Sequence, residues 1–339
     1  MKNFFLHINK KYIPLFITVV LFVVMFGIGS IVYTGFFSLQ VFLNLFIDNA
    51  FLAITAIGVT FVIISGGIDL SVGSVIALTT MLSADLLEHQ NMSPVFVIPF
   101  VLFIGAALGC IMGCMIHFYK VQPFIATLSG MFFARGICYV ISIDSITITN
   151  KFYRAVSQYR IHFPTGDFIS INVIILLVVV VLAMYLAHFT KFGRVVYAIG
   201  GSEQSAVLMG LPVGRTKVLV YTLSGFCSAL AGVVFNFYML SGYGLHAQGL
   251  ELDAIASAVI GGTLLSGGVG YVFGTVFGVL ILGTIQTLII FQGTLSSWWT
   301  KIAIGLLIFI FILLQRIFVP KNEQSKKKIK RKDAAAVNS

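Results

Sequence analysis

The chain has 339 residues, 59% of them hydrophobic and 9% charged, with a mean hydropathy of +1.05 and a formal net charge of +10. A water-soluble domain of that composition would expose large apolar patches, so the composition excludes one and points to an integral membrane protein. Apolar runs long enough to cross a ~30 Å hydrocarbon core recur from end to end and leave no room for a separate soluble domain.

The runs are continuous rather than alternating, which predicts helices and not a β-barrel. The expected fold is an all-α integral membrane protein of about ten transmembrane helices. In chain order the spans are Tyr12–Tyr33, Val41–Ile64, Ser71–Leu87, Pro94–Phe118, Gln122–Ile143, Phe168–His188, Val218–Leu240, Leu252–Leu265, Gly270–Phe291 and Ser297–Arg316. The eighth is short for a full crossing, so a broken or tilted helix is expected there. Before the first span lie Lys2, Lys10 and Lys11. Gly29-Ser30-Ile31 is a poor match to an A-x-A cleavage site, so this span reads as retained rather than as a signal peptide.

Lys and Arg set the orientation. With the N-terminus inside, cytoplasmic segments collect Lys120, Lys191, Arg194, Arg215, Lys217 and the basic tail, while outer loops hold only Lys151, Arg154, Arg160 and Lys301. Both termini are then cytoplasmic, and the positive charge reports topology rather than nucleic-acid binding. Residues 1–11 form a cytoplasmic lead, 12–316 a single membrane domain, and 317–339 a basic tail too polar to pack. That tail reads as a solvated stop-transfer segment or as one that leans on anionic membrane lipid.

Gly105, Gly109 and Gly113 in the fourth span, and Gly270, Gly274 and Gly278 in the ninth, form small-residue stripes that predict close helix packing. Cys110, Cys114, Cys138 and Cys227 fall within spans without metal-ligand spacing and read as packing residues. No metal or cofactor is expected.

Between the second and third spans stands "SGGIDLSVGS", with the carboxylate of Asp69 among Gly66, Gly67, Ser71 and Gly73. Asp69 can accept from the N–H groups of Ser71 and Val72 and cap the third span. The other reading makes this glycine turn part of an inner gate. A weak echo, "GGTLLSGG", occurs at Gly261–Gly268.

The longest inner loop, Thr190 to Lys217, has its own helix signals. Ser202 can cap, Glu203 suits the positive helix end, Gly210 can close in the left-handed conformation and Pro212 prevents continuation. The expected helix, Glu203 to Met209, has a small apolar middle of Ser205, Ala206, Val207, Leu208 and Met209. It suits a groove on another protein, or folds back on its own bundle.

Intramembrane polar groups are costly and should face a cavity or one another: Asp48, Asn49, Arg135, Glu251 and Asp253. Arg135 is expected to pair with one of these carboxylates. Asn49, Phe133, Arg135, Asn236, Tyr243 and Gln286 are candidates to line a polar path through the spans; each can equally be a packing residue.

The chain has no G-x-x-x-x-G-K-[ST] phosphate loop; "GLPVGRT" at Gly210–Thr216 has the wrong spacing and an Arg. ATP-driven work would have to come from another subunit. An intramembrane enzyme is disfavoured: no Ser-Gly pair has Gly two residues before the serine, H-E-x-x-H is absent and the six histidines are scattered. A secondary transporter using the intramembrane carboxylates as ion sites is the alternative.

The runs "NAFLAITAIGVTFVIISGGIDLSVGSVIAL", "FGRVVYAIGGSEQSAVLMGLPV" and "LDAIASAVIGGTLLSGGVG" resemble the membrane permease of bacterial ABC sugar importers of the ribose, xylose and galactoside group, over Ile47 to Arg316. "LSGMFFARG" and "GTLSSWWTKIAIG" look closest to galactofuranose permeases. The resemblance implies a multi-pass protein of the bacterial inner membrane that forms a monosaccharide path. Its implied partners are an ABC ATPase, a second permease subunit, the same or different, and a periplasmic sugar-binding protein. The family's coupling helix falls on Gly200, Gly201, Ser202, Glu203, Gln204, Ser205, Ala206, Val207, Leu208, Met209 and Gly210. Many relatives have Gly-Gly-Asn and a pair of alanines where this chain has Gly200-Gly201-Ser202 and Ser205-Ala206.

Overall fold

A computed structural model describes residues 13–296 and 298–318. The expected N-terminal lead, Tyr12, Ser297 and all but the first residues of the basic tail lie outside the described residues.

Long apolar helices dominate: α1 Ile13–Val32, α2 Leu39–Ile64, α3 Val72–Glu88, α4 Pro94–Phe118 and α5 Pro123–Ile141 come first. The short α6 Lys151–Gln158 precedes α7 Ile171–Phe189, and the shorter pieces α8 Lys191–Gly201 and α9 Glu203–Leu208 follow. Then come α10 Val213–Met239, α11 Leu250–Ile260, α12 Val272–Gln292 and α13 Trp298–Phe318. Local signals set several starts: Ser38 Oγ accepts from Val41 N at 3.1 Å, and Pro94 and Pro123 occupy first-turn positions that need no N–H donor.

Each of the ten expected spans falls on a helix, yet seven helices of the described residues are long and apolar enough to cross a membrane. α3, with 17 residues, and α11, with 11, are shorter. At 1.5 Å per residue α11 covers only ~16 Å, about half of a ~30 Å hydrocarbon core. Irregular backbone therefore runs at membrane depth on either side of it, which is tolerated only inside protein or beside water.

The centre of the bundle is α2 and α10. α2 is buried on nearly all faces from Asn49 to Ile64, and α10 packs against α2, α3 and α4. The glycine stripes explain how the helices come so close. A Cβ at Gly109 would collide with the Tyr221 carbonyl of α10, and one at Gly105 with Ala229; Gly274 and Gly278 meet the carbonyls of Gly261 and Ser257 in the same way. Cys138 and Cys227 are buried and Cys110 and Cys114 half-buried, all as free thiols, as packing residues would be.

The segment between α5 and α7 carries structure that the hydropathy pattern does not show. β1 (Ile146–Thr147) pairs antiparallel with β4 (Ser241–Gly242), and β2 (Arg160–His162) with β3 (Phe168–Ser170). α6 is held to the end of α3 by the Glu88 carboxylate, which accepts from Thr149 N at 2.7 Å, Asn150 N at 2.9 Å and Thr149 Oγ1. Phe168 N donates to Gln40 Oε1 at 2.8 Å, so the start of α2 lies at this same end of the bundle.

Candidate functional site

At the opposite end, the loop after α7 folds into the two helices α8 and α9. Thr190 Oγ1 accepts from Gly193 N at 3.1 Å to start α8, and Ser202 Oγ accepts from Ser205 N at 3.2 Å to start α9. Glu203, in the first turn of α9, binds Lys217 Nζ at 2.7 Å. Gly210 takes φ +71°, the left-handed stop read from the sequence. α9 ends at Leu208, with Met209 as its C-cap, one residue earlier than expected.

The apolar middle of this segment is divided between two faces. Ala206 is fully buried and packs with Val195, Ile199 and Val213, whereas Leu208 is 88% exposed and Val207 and Met209 also lie open. Ala206 therefore holds α9 onto its own chain and is not part of an outward face. Gly201, Ser202, Glu203, Gln204 and Ser205 are exposed beside the apolar trio.

Gly200 is the closest backbone approach of this segment to the turns of the bundle, beside the Tyr197 hydroxyl, which donates to Gly270 O at 2.7 Å. A Cβ there would collide with Ile64 O at the end of α2 and with Gly268 N. Gly268 N itself donates to Ile64 O at 2.8 Å, and a Cβ on Gly267 (φ +83°) would lie 3.0 Å from Gly66 Cα. The two echoing glycine strings thus meet in space, with the end of α8 wedged on top of them. Only residues without side chains allow three backbones to approach this closely.

Asp69 lies in the same turn and is fully buried. Its Oδ1 accepts from Ser71 N at 2.9 Å and Ser71 Oγ at 2.6 Å, and its Oδ2 accepts from Ser224 Oγ on α10 at 2.7 Å. Of the two expected donors Ser71 N is a partner and Val72 N is not, and the bond from Ser224 Oγ makes Asp69 also a clasp between the α2–α3 turn and α10. A buried carboxylate without these donors would be strongly disfavoured. Gly67 sits against the Tyr221 hydroxyl, and Gly73 against Glu251 and the Ala247 carbonyl.

Nearer the α6 end, a cavity of about 350 Å³ opens between α2, α12 and the loop joining α10 to α11. Asn49 and Gln286, two of the residues singled out in the sequence, line it, together with Asp48, His246, Gln248 and Asp253. Asp48 Oδ1 accepts from Tyr238 OH at 3.1 Å, and Asp253 binds Lys301 Nζ at 2.7 Å. Asn49 is turned inward and donates to Leu45 O at 2.9 Å. At ~1.5 Å per residue, Asp48 lies roughly 14 Å below the start of α2 and Gln286 roughly 9 Å below the end of α12, both within apolar spans. Asp48, Gln248 and Gln286 are nevertheless exposed. A charged group facing lipid at the bilayer centre costs ~2.5–3.5 kcal/mol on insertion scales, so water or another protein, and not lipid, covers this face.

The other sequence candidates lie elsewhere. Phe133 is 60% exposed on α5, Asn236 is fully buried in α10, and Tyr243 lies in the α10–α11 loop with its ring 5.8 Å from His246. Arg135 does not pair with a carboxylate: its Nη1 donates to the backbone carbonyls of Gly244 and of His246, the latter at 2.9 Å. Those carbonyls are left open by the irregular loop before the half-length helix, which outcompetes a distant acid for the guanidinium. His246 and Gln248 were not singled out in the sequence; their signal is two polar side chains in a glycine-containing stretch, Gly244 to Gly249, directly before a span too short to cross.

Comparison with known proteins connects these features. Residues 41–312 match the family described as the permease component of the branched-chain amino acid transport system. The inner membrane ABC transporter permease protein YjfF of Escherichia coli is 52% identical over 91% of this chain and 93% of that protein. The fructose import permease protein FruG of Bifidobacterium longum is 41% identical over 91% and 92%, and the ribose import permease protein RbsC of Haemophilus influenzae 40% identical over 86% and 90%. No solved structure matches the chain.

Proposed function

Because the chain belongs to the family of the permease component of the branched-chain amino acid transport system, we propose that it is the membrane-spanning subunit of an ATP-driven importer for a monosaccharide. It is a multi-pass inner-membrane protein. The observation that carries the coupling part of this reading is α9, a short helix fixed to the bundle by Ala206 and Gly200 while it presents Val207, Leu208 and Met209 outward. Exposed apolar side chains on a rigid support suit a cleft on a second protein. That protein is an ABC ATPase, since this chain has no phosphate loop of its own.

Movement of α9 would pass through Gly200 to the Ile64–Gly66 turn and to Gly267–Gly268, and from there through the Asp69–Ser224 clasp to α10. This makes the glycine turn, with Gly66, Gly67, Asp69, Ser71 and Gly73, the inner gate. A second permease subunit completes the path, and a periplasmic sugar-binding protein delivers the solute to the α6 end. The fructose and ribose permeases among the relatives support a sugar as cargo. The strings "LSGMFFARG" and "GTLSSWWTKIAIG" support galactofuranose within that class.

Co-purification from the native membrane tests the assembly. An ATPase with a phosphate loop, a second permease and a sugar-binding protein should travel with this chain. Isolation as a homogeneous protein with none of them would overturn the proposal. Competition for labelled galactose uptake by the ring-locked methyl galactofuranoside, and not by the methyl galactopyranoside, decides the cargo.

A further inference from the structure

Resting on the permease reading above, we propose that the cavity between α2, α12 and the α10–α11 loop is a transient binding site for an uncharged monosaccharide in transit. Its volume of about 350 Å³ falls within the ~300–1,000 Å³ of small-molecule sites. The groups that face it suit hydroxyls. The amides of Gln248 and Gln286 each offer a donor and an acceptor in one plane, and Asp48 offers an acceptor pair held in place by Tyr238. Phe51 and Phe235, whose ring centroids lie 4.9 Å apart, give one wall an apolar surface for the C–H face of a sugar ring.

The charge pattern argues against an anionic cargo. The positive N-terminal end of α11 opens here, but its first turn already carries Glu251 and Asp253. The Lys301 ammonium is taken by Asp253 and the Arg135 guanidinium by backbone carbonyls. A carboxylate or phosphate entering the cavity would meet Asp48 and Asp253 without a free cation among the described lining residues. α11 is a half-length helix whose start, after Gly249 at φ +82°, brings irregular backbone into the wall, the construction by which membrane transporters place a site within the bilayer. The open, polar rim favours weak binding, which a conduit needs so that the solute leaves again.

The test uses the complete complex with its ATPase and binding protein, in lipid nanodiscs for labelling and in vesicles for uptake. A Gln286→Cys variant is treated with a membrane-impermeant thiol reagent, beside Phe133→Cys on α5 and the native protein, whose thiols are buried or half-buried. Labelling of Gln286→Cys should be fast and should slow several-fold with at least one of D-ribose, D-fructose or D-galactose, but not with leucine or glucose 6-phosphate. Phe133→Cys should show no such protection. In vesicles, Gln286→Leu and Gln248→Leu should each lower the sugar moved per ATP by about tenfold, the effect of one lost hydrogen-bonding group. Gln286→Asn should recover part of that loss. Absence of protection by every sugar, protection by leucine, or native sugar-to-ATP ratios in both leucine variants overturns the site. If the native complex moves no sugar with ATP, the permease reading itself fails, and protection of Gln286→Cys still reports on the cavity.

Discussion

Replacing Leu208 by Asp separates docking from folding. Leu208 is 88% exposed, so its substitution should leave the fold intact, within the ~0.5 kcal/mol typical of surface changes. If the side chain enters a cleft on the ATPase, its loss forfeits the ~1.5–3 kcal/mol that burial of a leucine contributes. That corresponds to roughly 10- to 150-fold weaker association, and the buried carboxylate adds to the loss. Ala206→Glu supplies the contrast, because Ala206 has no exposed surface and a glutamate there must unseat α9 from Val195, Ile199 and Val213. Affinity of the purified permease for its ATPase, read by surface-immobilised binding, together with the monodisperse yield in detergent, checks both variants. Leu208→Asp should lose affinity at native yield, and Ala206→Glu should lose both. Native affinity for Leu208→Asp would refute the docking face.

Three other perturbations test the supporting structure. Gly109→Val should abolish folded yield on size-exclusion chromatography, because its side chain would occupy the position of the Tyr221 carbonyl, whereas Gly136→Ala, with open space around it, should be neutral. Asp69→Ala leaves the Ser224 hydroxyl without its acceptor and should cost ~1–3 kcal/mol, seen as a lower unfolding temperature; an unchanged temperature would sink the clasp. At the α6 end, partial burial pushes the Glu88 carboxyl up, but the hydrogen bonds from Thr149 Oγ1, Thr149 N and Asn150 N outweigh it and hold its pKa below the ordinary glutamate range. A depressed acid stabilises the fold above its unfolded pKa and loses that contribution as pH falls through the lower folded value. The protection factors of the amides in residues 149–158, each taken against the intrinsic exchange rate at the same pH, should therefore fall on acidification, and in Glu88→Gln they should not change with pH.

Much of this architecture is legible in the sequence because the bilayer imposes it. Continuous apolar runs have few alternatives to helices, and Ser202, Gly210 and Pro212 mark the ends of the α9 segment through local chemistry alone. The shortness of the eighth span was likewise visible, and it corresponds to the half-length α11. What the sequence could not supply depends on long-range contact. Whether Ala206 or Leu208 faces outward is decided by Val195, Ile199 and Val213, which approach through the fold of the whole loop. Asp69 finds Ser224 across 155 residues, so local spacing suggested only a cap. The two glycine strings are only a weak echo in the sequence, and their contact at Gly66 and Gly267 exists only in the fold. Among the polar candidates, Asn49 and Gln286 reach the cavity, but Asn236 on the neighbouring helix turns into the protein.

The account stands most directly on the source of driving force. Sealed vesicles carrying this chain, its partner permease, the ATPase and the sugar-binding protein should accumulate labelled sugar against its gradient when ATP is supplied to the nucleotide-binding side. The same vesicles without the ATPase should only equilibrate. Uphill accumulation by the chain alone, driven by a proton or sodium gradient, would contradict the account.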